Sequence, residues 1–85
     1  MAELITTRHA RFALERRGIS RKEIRASVFS PELIQPGKRP RVERRIAGPS
    51  DRRIVAVVVI ERRFLRLLTA YIEGQNDPAE DLDGV

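Results

Sequence analysis

Seven apolar residues in a row, Ile54-Val55-Ala56-Val57-Val58-Val59-Ile60, constrain this chain more than any other stretch. They are rich in β-branched side chains, and a run of that length and kind reads as a strand. Neither of its faces is polar, so it belongs at the centre of a sheet with cover on both sides. The charged break Glu61-Arg62-Arg63 and the second run Phe64 to Ile72 make its partner, joined antiparallel through a tight turn. Strict alternation along that second strand puts Phe64, Arg66, Leu68, Ala70 and Ile72 on one face. Leu65, Leu67, Thr69 and Tyr71 fall on the other. Thr69 and Tyr71 then stand about 6.6 Å apart on one side, a separation at which two hydroxyls can touch one phosphate and its ribose.

The residues before this hairpin supply its cover. Thr6 or Thr7 can cap a helix over Arg8 to Arg17, which Gly18 ends in a left-handed conformation. Ser20-Arg21-Lys22-Glu23 is a capping box, Ile19 can staple onto Ile24, and Ser30-Pro31 stops this second helix. A brief strand over Glu32 to Gln35, a Pro36-Gly37-Lys38 turn and a strand from Arg39 to Ala47 follow. With 85 residues there is room for one small domain. The expected fold is α+β: two N-terminal helices packed on a four-stranded antiparallel meander over residues 1–73, followed by an acidic flexible tail at 74–85. On this layout the sheet face away from the helices presents Val55, Val57, Val59, Leu65 and Leu67. So much aliphatic surface predicts a homodimer or another protein partner.

Charge narrows the function. Residues 1–75 hold all 17 basic residues, 15 of them Arg, against 8 acids, a net +9. The last ten residues hold Asp77, Glu80, Asp81 and Asp83 and no base. Arginine makes planar, bidentate contacts with phosphate, so the balance predicts an anionic polymer as partner. Arg41, Arg44, Arg45 and Arg53, on or beside the strands, are the expected phosphate contacts. Cysteine is absent, there is one histidine, and no carboxylates are paired, so neither a metal nor a cofactor is expected. No stretch has the apolar length of a signal peptide core or a membrane span, which predicts a cytoplasmic protein without a membrane partner.

His9-Ala10, Arg17-Gly18-Ile19-Ser20, a basic strand, an aliphatic strand and a closing Thr69-Ala70-Tyr71 occur here in one order. Together, over residues 5–73, they resemble the bacterial domain of unknown function 4258. That family is similar to RelE-like and ParE-like toxins and to small ribonucleases that need no metal. The chain departs from the family pattern at Ala13 and Arg16, where members often carry Arg and Glu. The resemblance implies a nuclease site at His9, Arg17, Thr69 and Tyr71. In that chemistry a base takes the proton of a ribose 2′-hydroxyl, the oxygen attacks the adjacent phosphate, cations hold the added charge and an acid protonates the leaving oxygen. RNA is the implied substrate, since DNA lacks the 2′-hydroxyl. The alternative is a basic module that binds nucleic acid, or a protein target such as an antitoxin, without cutting.

Overall fold

The computed structural model describes residues 3–74. The expected acidic tail, apart from Gly74, therefore lies outside the described residues. In chain order the elements are β1 (Glu3–Thr6), α1 (Arg8–Arg17), α2 (Arg21–Phe29), β2 (Leu33–Pro36), β3 (Val42–Ala47), β4 (Ile54–Ile60) and β5 (Phe64–Ile72).

The fold is α+β, with two helices on a sheet of five strands in the order β1-β5-β4-β3-β2. Strands β2 to β5 are the expected antiparallel meander. The expected count of four strands is corrected by β1, which adds to β5 in parallel, with Leu4 opposite Leu65 and Thr6 opposite Leu67. From sequence Leu4-Ile5 reads only as a short extended lead, because four residues have too little periodicity to announce a pairing partner about sixty positions away. The apolar run is central, as its two apolar faces demand.

Both helices begin and end for local reasons. Thr7 Oγ1 accepts from the Ala10 amide at 3.1 Å and donates to the Leu67 carbonyl at 2.8 Å. One hydroxyl thus caps α1 and fixes it to β5. Gly18 closes α1 with φ 64°, a left-handed conformation that costs glycine little. Ser20 and Glu23 form the expected capping box at the start of α2. Arg52 then ties the corner together, donating to the Gly18 carbonyl at 2.7 Å and to Glu23 Oε1 at 3.1 Å.

Ala10, Ile19, Ile24 and Val28 from the helical layer pack on Ile54, Ala56, Val58, Leu65, Leu67, Ala70 and Ile72 of the sheet. Leu65 and Leu67 share this face with Ala70 and Ile72, which strict alternation forbids. A β-bulge explains it. Val57 pairs with Thr69 but Val58 pairs with Leu67, so Leu68 is an extra residue and the phase of β5 changes there. The expectation that Leu65 and Leu67 line an open face with Thr69 and Tyr71 is thereby overturned. The second face is closed too: Val42, Ile46, Val55 and Val57 are buried. Of the valines expected on an open face, Val55 and Val57 are therefore covered and Val59 is half-buried. Large apolar side chains reach solvent instead at Phe12, at Ile5 on edge strand β1, and at Leu33 and Ile34 on edge strand β2.

Candidate functional site

Strand β1 stops opposite Leu67, so the outer edge of β5 beyond that point has no strand beside it. Helix α1 crosses this edge. From its last turn Arg17 donates to the Ala70 carbonyl oxygen at 2.7 Å and lies 3.5 Å from Thr69 Oγ1. A carbonyl that would otherwise face an empty edge is satisfied by a guanidinium. Thr69 is 2% exposed and Arg17 is half-buried.

Thr69 and Tyr71 do share one side of β5, opposite Val57 and Val55 respectively. Their common direction survives the bulge because the extra residue precedes both. Tyr71 is half-buried. His9 is exposed in the first turn of α1, two helical turns before Arg17 and next to the fully buried Ala10. The structure therefore brings Arg17 to Thr69, holds Tyr71 two residues further along the same strand, and sets His9 at the other end of the same helix.

The four arginines expected to contact phosphate, Arg44 and Arg45 in β3 and Arg41 and Arg53 just before β3 and β4, have different fates. Arg45 donates to the Val28 carbonyl at 2.8 Å and to Glu43 Oε1 at 3.0 Å, which fastens the end of α2 to β3. Arg53 donates to Glu32 at 2.9 Å and to the Gly48 carbonyl at 3.1 Å. These two work inside the fold. Arg41 is 63% exposed in its side chain, donates to the Ile60 carbonyl and faces Glu61 at 3.8 Å. Arg44 stands opposite Val57, and its buried Nε has no hydrogen-bond acceptor among the described residues. Arg66, across β4 and opposite Val59, has a buried Nε in the same condition, although its Nη2 pairs with Glu61 at 2.8 Å. Sequence reading passed over Arg66, and the signal that could have found it is the helix-distal face it shares with Arg44 once the bulge is known. Among the described residues no three His, Asp or Glu side chains are grouped to hold a metal ion.

The domain of unknown function called DUF4258 matches residues 6–72. The chain belongs to the DUF4258 family. No curated protein and no solved structure matches it. The DUF4258 match spans everything from Thr6 to Ile72, and so includes His9, Arg17, Thr69 and Tyr71 together. Among the described residues of this DUF4258 domain no helix is long and apolar enough to cross a membrane.

Proposed function

We propose that this DUF4258 domain acts on RNA as an endoribonuclease of the RelE-like type, by attack of a ribose 2′-hydroxyl on the adjacent phosphate. The observation that carries the reading is the Arg17 guanidinium held against Thr69 on the strand that bears Tyr71. Arg17 brings its positive charge to the phosphate, where negative charge grows as the 2′-oxygen adds to phosphorus. His9 takes the 2′-hydroxyl proton, and Tyr71 protonates the departing 5′-oxygen as the P–O5′ bond breaks, with Thr69 orienting the group. The products are a 2′,3′-cyclic phosphate and a 5′-hydroxyl. A chain with 17 basic residues and a net charge of +5 supplies the long-range attraction for such a substrate.

A second reading, a basic nucleic-acid-binding module without catalysis, is favoured by the burial of Thr69 and by the bond that Arg17 already makes to Ala70. Incubation with RNA and DNA of the same sequence, in the presence of a chelator, separates the two. Cleavage of the RNA alone supports the ribonuclease. Retention of intact RNA supports the module, and RNA neither cut nor retained removes both.

A further inference from the structure

Between β1 and the two helices lies a cleft of about 550 Å³ that the site above does not use. Its floor includes Ile5, Leu14 and Ile24, and three arginines, Arg11, Arg21 and Arg25, stand around it. Arg21 and Arg25 are one turn apart on α2 and so project side by side. Arg25 is steadied by the Phe29 ring, 4.9 Å from its guanidinium carbon. None of the three makes an ion pair with an acid among the described residues. Helices α1 and α2 contain only Glu15 and Glu23 as acids, and Glu23 is held by Arg52.

We infer that this cleft is a second contact for single-stranded RNA, in which Arg11, Arg21 and Arg25 hold backbone phosphates away from the reacting one. The inference rests on the RNA reading above. The cations continue outside the cleft: Arg8 is one turn before Arg11 and exposed, and Lys22 is exposed beside Arg21. Through Arg8 the basic track runs from the first turn of α1 to Arg11 at the cleft. A track of one sign that outruns the groove matches a ligand whose charge repeats along its length. The apolar floor gives the sugar and base of an intervening nucleotide a dry surface. An acidic polypeptide strand is the competing ligand, and it would need the free edge of β1 more than the outlying cations.

The test is the affinity of a labelled RNA oligonucleotide at several salt concentrations. Each phosphate contact in a single strand contributes about 0.7 to the slope of log affinity against log salt. Arg21→Gln with Arg25→Gln should lower that slope by about 1.4 and Arg11→Gln, on the other helix, by about 0.7. Arg62→Gln with Arg63→Gln, exposed in the β4–β5 turn, removes the same charge and should change it less. Thermal melting of each variant establishes that it is folded. Equal losses from the two double variants, an unchanged slope in the cleft variants, or displacement of RNA by polyglutamate at equal charge would overturn the cleft assignment while the RNA reading stands. Failure of the parent protein to bind RNA at low salt removes both.

Discussion

Arg52 and Glu23, 29 residues apart, are joined by two hydrogen bonds from the Arg52 guanidinium to the two Glu23 carboxylate oxygens. The pair closes the corner where α1 gives way to α2, since Arg52 also holds the Gly18 carbonyl. The Arg52 hydrogen bond, aided by the Ser20 amide, pulls the Glu23 pKa down to about 2 from an ordinary 4.5.

A pH dependence follows from that depression. The unfolded chain takes up the proton first as pH falls, so the stabilisation from Glu23 is complete above about 4.5 and is lost on the way down to about 2. Thermal unfolding of the parent and of Glu23→Gln should differ at pH 6 and converge as pH approaches 2. A gap that stays constant over this range would show that the carboxylate charge contributes nothing.

Thr7→Ala removes both the cap on α1 and the bond to the Leu67 carbonyl. The loss should be about 1–2 kcal/mol, which is several degrees of melting temperature in a domain this small. Thr7→Ser keeps the hydroxyl and should recover most of it. Similar melting temperatures for the Ala and Ser variants would mean that neither bond matters.

Gly37 has no room for a side chain. A Cβ there would stand 2.5 Å from Val42 Cγ1 and 2.9 Å from the Val42 carbonyl oxygen. Gly37→Ala should therefore push the β2–β3 turn open and cost about 1–3 kcal/mol. Denaturant titration with an unchanged midpoint would contradict this.

At the candidate site, His9→Ala and Tyr71→Phe should each slow RNA cleavage about a hundredfold or more, as expected for a lost proton-transfer group. Neither should move the melting temperature much, because His9 is exposed and Tyr71 half-buried. Arg17→Ala should behave differently. It strips the Ala70 carbonyl of its donor, so stability should fall by about 1.5–3 kcal/mol together with activity. If His9→Ala or Tyr71→Phe loses activity only in proportion to stability, that residue belongs to the fold and has no part in the chemistry.

Wherever a signal is local, the outcome was legible from the residues alone. Ser20 and Glu23 are three residues apart, Gly18 follows the last helical turn, and the seven apolar residues of β4 carry their own demand for burial on both faces. Capping, turn and strand were legible because the atoms that decide them are neighbours in the chain. The meander was legible for the same reason, as each of its strands pairs with the next. The features that depend on distant partners emerged only in the folded chain. The parallel pairing of β1 with β5 needs a whole domain between them. The bulge at Leu68 lets the helix-facing side of β5 take Leu65 and Leu67 from one phase and Ala70 and Ile72 from the other, which alternation alone does not reveal. Arg45 and Arg53 look like any other basic residues until Val28, Glu43, Glu32 and Gly48 come within reach. The meeting of Arg17 with Thr69 and Ala70 likewise exists because β1 is short enough to leave that stretch of β5 uncovered. An arginine's role is set by the acceptor it finds, and the acceptor is chosen by the fold.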